Sequence, residues 1–249
     1  PRLAAWHGDL KWSRGRHRIG NRDASYRHAI VDRIQRTLDN RAPANAADLA
    51  ALLAHRLADI AADVRGGNCD GWRPFWDKDH DDQRRTPKVE NSCRDAVLAA
   101  LQTRLPPEVD AVPEGQYAVD RRADIRASCS GLNIPVEIKR NSDPNLWSAL
   151  RTQLIPSYTT DPATEGYGIY LVLWFGTAAT KRDPDGSRPA TPTELEQQLR
   201  GTLTPDEARK ILVIAMDVTK PGDHQESGSS DTSGERVRGG GSDGLRNRD

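Results

Sequence analysis

The chain has 249 residues, with 36 Lys and Arg balanced by 36 Asp and Glu, so its formal net charge is zero. It is polar, with 36% hydrophobic and 29% charged residues. It does not bind polyanions by bulk charge, and a nucleic-acid surface would have to come from local clusters of Arg and Lys.

No apolar run approaches the roughly 20 residues that a membrane-spanning helix needs, so no membrane partner is expected. Three widely spaced cysteines, Cys69, Cys93 and Cys129, contain no Cys-x-x-Cys pair. They suggest neither a disulfide framework nor a zinc knuckle and fit a reducing, cytoplasmic setting. The first residue is Pro1, and no apolar h-region follows it. No secretory signal is expected from this start, and it suggests a piece of a longer polypeptide, whose remainder would be a partner.

Residues 1–22 read as a basic linker, with Arg14, Arg16, His17, Arg18 and Arg22 beside Trp6 and Trp12. A solvated segment explains this composition more simply than a strand-tracking arm. Residues 23–87 read as a helical segment and connecting loop. Ile30, Ile34 and Leu38 recur at helical spacing between Ala24 and Leu38. Leu49, Leu52, Leu53, Leu57, Ile60 and Val64 form a second stripe that Asn45 can cap. Gly66 and Gly67 end it. The run Asp79, His80, Asp81, Asp82 reads as a solvated acidic loop, because no second ligand cluster completes a metal site.

Residues 88–221 read as an α/β domain. A helix is expected from Val89 to Leu105, with Val89, Cys93, Val97, Ala100 and Leu101 on one side, stopped by Pro106 and Pro107. Strands follow at Gln116–Val119, Ala123–Cys129 and Asn133–Lys139. A helix is expected at Pro144–Ser157, with Pro144 in its first turn. A buried strand fits Tyr167–Phe175, helices fit Thr193–Leu203 and Pro205–Lys210, and a last strand fits Ile211–Val218. This order gives a mixed central sheet flanked by helices and preceded by a helical segment. The tail, 222–249, has too little apolar surface to offset ordering entropy and reads as disordered.

The stretch from Arg122 to Lys139 carries the chemistry. A hairpin turning at Ser130-Gly131 sets Asp124 opposite Glu137, with Cβ atoms roughly 4.5–5.5 Å apart. Lys139, two residues further on, shares that face, while Ile125, Val136 and Ile138 point into a core. Two opposed carboxylates repel unless a cation lies between them. Mg²⁺, with Mn²⁺ as a substitute, suits such hard oxygen ligands, and the Ile138 carbonyl adds another. Lys139 would polarise the attacking water or offset charge developing on phosphorus. Ordinary ion pairs on a half-exposed hairpin are the alternative.

Asp followed by Glu-x-Lys on a neighbouring strand resembles the PD-(D/E)xK, restriction-endonuclease-like nuclease superfamily, over about residues 88–218. The resemblance implies a restriction-endonuclease-like core and metal-dependent hydrolysis of DNA, with RNA left open. Glu90, on the preceding helix, matches the family's helix-borne Glu. Gln153 and Tyr158 match the Gln and Tyr that RecB-like branches carry, at a spacing one residue longer than usual and with Pro156 between them. Gln153 continues the stripe of Leu146 and Leu150, so it faces inward and wants a polar partner. Arg151 is a candidate phosphate contact. The motif has Ala123 where the family has Pro. An effector module of a defence, restriction or repair protein is the expected context, and the family's paired sites leave a dimer open. The alternative is an inactive domain of the same fold that binds nucleic acid or another domain.

Overall fold

The computed structural model describes residues 42–67, 70–78, 84–116 and 122–220. The expected helix at Ala24–Leu38, the basic linker, the Asp79–Asp82 run and the tail lie outside these residues. Among the described residues no helix is long and apolar enough to cross a membrane.

The first element, α1 (Ala46–Gly66), starts where the sequence indicates. The Asn45 side chain accepts the Asp48 amide at 2.8 Å, and the Gly67 amide closes the other end on the Asp63 carbonyl. Its stripe, Leu49, Leu53, Leu57, Ile60 and Val64, is buried. The following segment is not all loop: β1 (Trp76–Lys78) and β2 (Arg84–Pro87) form a small antiparallel hairpin. Trp76 anchors it by donating Nε1 to the Val218 carbonyl at 2.7 Å and meeting Phe175 edge-on. Helix α2 (Glu90–Gln102) begins after Val89, which lies outside it and is 64% exposed. The buried stripe is therefore Cys93, Val97, Leu98 and Leu101, without Val89.

Five strands form the main sheet in the order β3 (Asp110–Gln116), β4 (Arg122–Cys129), β5 (Leu132–Arg140), β6 (Gly168–Trp174), β7 (Ile211–Asp217). Pairing from β3 to β5 is antiparallel and from β5 to β7 parallel. The first strand therefore begins before the expected Gln116–Val119, of which only Gln116 lies among the described residues. Pro113 and Gly115 are poor strand formers, but β3 is an edge, where Pro is tolerated, and its register with β4 is the same on both sides of Glu114 (φ 49).

Alternation divides the sheet between two layers. On β6, Ile169, Leu171 and Leu173 face α1 and α2, packed with Val136 and Ile138. Tyr170, Val172 and Trp174 face the opposite layer, which contains Leu150, Leu154, Leu195 and Leu199. That layer comprises a helix wound in π turns (Leu150–Tyr158) and α3 (Pro192–Gly201). The molecule is α/β, with a mixed sheet flanked by helices and preceded by a helix.

The expected α-helix at Pro144–Ser157 is corrected here. Residues from Asp143 to Ala149 form successive turns, and π winding runs from Leu150. Pro156 lies inside this helix and has no N–H to give an α-helical ladder; wider turns are the accommodation.

Candidate active site

The β4–β5 hairpin turns as its sequence requires. Ser130 (φ 50) and Gly131 (φ 83) both take left-handed backbone, matching a two-residue turn that follows strand twist. Cys129 then faces Leu132, and the register runs without slip to Ile125 facing Val136. Asp124 and Glu137 come next in that register, but the backbone ladder ends before them. The Ile138 amide instead donates to Asp124 Oδ2 at 2.7 Å. The carboxylate has taken the place of a strand neighbour, and Asp124 Oδ1 lies outside this bond.

Parallel pairing on the other edge of β5 fixes the remaining residues. Glu137 lies beside Tyr170 and Lys139 beside Val172. Both side chains are buried, at 5% and 8% exposure, so their charges must be met inside the protein. Lys139 Nζ lies 2.9 Å from Glu137 Oε1 and 3.1 Å from Glu90 Oε1. It also donates to the Ile138 carbonyl at 3.1 Å. The side chain of Glu90, the first residue of α2, thus reaches the end of β5 from the helical layer. Its Oε2 is buried without a hydrogen-bond partner in the protein.

The electrostatics follow from three carboxylates sharing one ammonium. Burial, then the neighbouring Asp124 charge, pushes the Glu137 carboxyl up to about 7. Burial also raises Asp124, against the lowering effect of the Ile138 amide, and raises Glu90, against Lys139. Burial works against charge on Lys139, but Glu137, Glu90 and Asp124 together hold its pKa above the ordinary lysine value. Tyr170, whose hydroxyl donates to the Leu146 carbonyl at 2.6 Å, is raised by burial and then by Glu137.

A hard divalent cation fits this donor set in charge and chemistry. Asp124 Oδ1, Glu137 and the orphaned Glu90 Oε2 are oxygen donors in surplus over positive charge. Among the described residues no three His, Cys, Asp or Glu side chains form a ready metal cage. Mg²⁺ needs only one or two carboxylates, completing its shell with water and phosphate oxygens. The Ile138 carbonyl, the third expected ligand, is already used by Lys139.

The other expected residues fare differently. Gln153 is half-buried, and its Oε1 is buried with no hydrogen-bond partner in the protein. The apolar stripe runs through Leu146, Leu150 and Leu154, with Gln153 beside it. The Tyr158 hydroxyl donates to the Arg122 carbonyl at 2.7 Å, two residues before Asp124, so it braces β4. Arg151 is turned away from the carboxylates towards Glu207, with which it pairs, and the Thr202 carbonyl.

Sequence reading missed Asn141, which is fully buried just beyond Lys139. Its Oδ1 accepts the Phe175 amide at 3.1 Å, and its Nδ2 donates to the Gly176 carbonyl and Thr180 Oγ1 at 2.9 and 2.7 Å. The signal was available: the alternation that puts Glu137 and Lys139 on one face continues to Asn141.

Fold and site together define a mixed-sheet α/β protein with a buried acidic cluster at the end of its central strand. The chain belongs to a family described as a domain of unknown function, DUF8371, whose model matches residues 53–177. That span contains Glu90, Asp124, Glu137, Lys139 and Gln153. No curated protein and no solved structure matches the chain.

Proposed function

We propose that this protein is a Mg²⁺-dependent nuclease that hydrolyses phosphodiester bonds in DNA. The supporting observation is the meeting of Glu90, Glu137 and Lys139 beside Asp124, three carboxylates to one ammonium, with Glu90 Oε2 left unsatisfied. A dry cluster with surplus negative charge is costly unless a cation joins it. The resemblance of Asp124 and Glu137-x-Lys139 to the PD-(D/E)xK pattern points the same way.

Asp124 and Glu137 would hold the cation, with Mn²⁺ as a substitute for Mg²⁺. When bound, it supplies Lewis acidity to the phosphate and lowers the pKa of the attacking water. The chain's own groups do the rest. Lys139 Nζ, fixed by Glu137 and Glu90, presents positive charge where the phosphate gains negative charge. Glu90 orients Lys139 and, through Oε2, water or metal. Gln153 offers an unpaired amide oxygen to substrate or to a group of the site. The free, buried thiols of Cys93 and Cys129 favour a cytoplasmic setting for this activity.

The test is cleavage of plasmid and single-stranded DNA by the intact protein in Mg²⁺ or Mn²⁺, with Asp124→Ala, Lys139→Ala and EDTA as controls. Cleavage lost in all three controls supports the reading, and cleavage surviving both substitutions overturns it. A second reading, an inactive domain that binds nucleic acid or another protein, draws on the ammonium of Lys139 already pairing with one oxygen each of Glu137 and Glu90. Binding without cleavage in either metal would favour it.

A further inference from the structure

A cavity of about 470 Å³ opens beyond the end of β5, lined by Ser142, Thr180, Lys181, Arg182 and Arg188 among others. Its three cations stand out in a chain of zero net charge. Other arginines, including Arg65, Arg94, Arg104, Arg151 and Arg200, are paired with carboxylates. Among the described residues Lys181, Arg182 and Arg188 form no ion pair, although Asp183 and Asp185 lie in the same loop. Asp183 is turned back into that loop, accepting the Ser187 amide and hydroxyl at 2.7 Å each, and neither aspartate lines the cavity. Arg182 spends one N–H on the Gly186 carbonyl, which fixes its direction and keeps its charge.

The loop is built to hold this shape. Buried Asn141 ties its first half through Phe175, Gly176 and Thr180, and the Asn141 carbonyl accepts the Lys181 amide at 2.8 Å. Trp147 donates its indole N–H to the Lys181 carbonyl at 3.3 Å, so an aromatic is pinned to the backbone of the cationic segment. Ser142 follows Lys139 by three residues, a chain reach of at most about 10 Å. The cationic cavity is thus anchored to the same strand end as the acidic cluster.

We infer that Lys181, Arg182 and Arg188 bind the phosphates of a nucleic-acid strand, with Ser142 as a neutral donor, holding it alongside the acidic cluster. Three unpaired cations around an open cavity suit a chain of singly charged phosphates, each neutralised by one side chain with release of a counterion. Trp147 adds a surface on which a base can stack. The occupant rests on the nuclease reading, but the cavity and its charge do not.

The experiment measures binding of a fluorescein-labelled single-stranded 20-mer by anisotropy in EDTA, where no metal-dependent cleavage occurs. The intact protein, the control Arg209→Gln and the triple variant Lys181→Gln/Arg182→Gln/Arg188→Gln are titrated across a salt series. The three side chains are exposed, so the triple variant should melt like the intact protein, which circular dichroism checks. The expected result is at least tenfold weaker binding by the triple variant, with a salt slope smaller by about 2, three contacts at roughly 0.7 each on single strands. Arg209→Gln, which removes an exposed cation away from the cavity, should bind like the intact protein. Unchanged affinity and slope in the triple variant would overturn the inference. So would an intact protein that binds inorganic phosphate or anionic vesicles but not the oligonucleotide. Loss of binding in the triple variant, with no cleavage by the intact protein in any metal, would uphold this site and sink the nuclease reading alone.

Discussion

The Ile138 amide donates to the Asp124 carboxylate at 2.7 Å, at the point where β5 stops pairing with the backbone of β4. One side chain therefore does two things. It satisfies a buried strand amide, and it delivers a carboxylate to the neighbourhood of Glu137 and Lys139. The two roles separate by substitution. Asp124→Asn keeps an acceptor for Ile138 and removes the charge, so it should fold with a melting temperature within a few degrees of the intact protein and lose metal-dependent cleavage. Asp124→Ala leaves a buried N–H without a partner, at a cost of about 1–3 kcal/mol. Urea denaturation should rank Asn above Ala in stability. Equal stability of the two would mean that the bond to Ile138 contributes nothing.

The pH dependence follows from Glu137, whose carboxyl is raised to about 7, first by burial and then by Asp124. Its folded pKa lies above its unfolded one, so between about 4.5 and 7 the folded state holds more protons. Its stabilising contribution is complete below the unfolded value and is lost as pH rises through the folded one. Asp124 and Glu90, also raised, act in the same direction. In EDTA the melting temperature should fall from pH 5 to pH 8. Glu137→Gln should flatten that slope, and Mg²⁺ should restore stability at pH 8. A slope that Glu137→Gln leaves untouched would overturn this account.

Lys139 is the only cation in contact with Glu137 and Glu90 among the described residues, and it is 8% exposed. Replacing it with Met keeps the bulk of the side chain and leaves buried carboxylates facing one another. Breaking a buried pair from one side costs about 3–5 kcal/mol. Lys139→Met should therefore melt well below the intact protein in EDTA and recover in part with Mg²⁺. An unchanged melting temperature would show that the ammonium is not where the carboxylates need it.

Much of this site was legible because hairpin register is arithmetic. Once Ser130-Gly131 is taken as the turn, the side-chain period of two settles which residues share a face, and Asp124, Glu137 and Lys139 fall out together. Helix α1 was legible from its cap and stripe. Elements that break local rules were not. Strand β3 contains Pro113 and Gly115 and survives as an edge; the helix around Pro156 escapes the α-helical period by widening its turns. The partners of long side chains were also hidden. Nothing near Arg151 in sequence announces Glu207, and nothing near Asn141 announces Thr180.

Arg151 illustrates what that concealment costs. Sequence suggests a phosphate contact, but its guanidinium pairs with Glu207 and bonds to the Thr202 carbonyl, joining the π-wound helix to the loop after α3. Arg151 and Glu207 are 40% and 25% exposed, so water screens the pair, and it contributes at most about 1 kcal/mol. Arg151→Gln should lower the melting temperature by a few degrees at most and leave oligonucleotide affinity unchanged. A large loss of affinity would mean that Arg151 leaves Glu207 for phosphate when substrate arrives.

Gln153 gives the sharpest separation of structural from functional roles. Its Oε1 is buried and has no hydrogen-bond partner in the protein, a cost that folding alone does not repay. Replacing such a group with an apolar one of similar size is neutral or stabilising when nothing else uses it. Gln153→Leu should therefore hold or raise the melting temperature. If the amide oxygen meets substrate or a bound water of the site, the same variant should cut DNA at least tenfold more slowly. Gln153→Glu, which keeps an oxygen but places a charge where the amide oxygen is buried, should be slow and also less stable at pH 8 than at pH 5. A Gln153→Leu variant that loses stability would place the unpaired oxygen in an interaction of the fold itself, and full cleavage by that variant would remove Gln153 from the site.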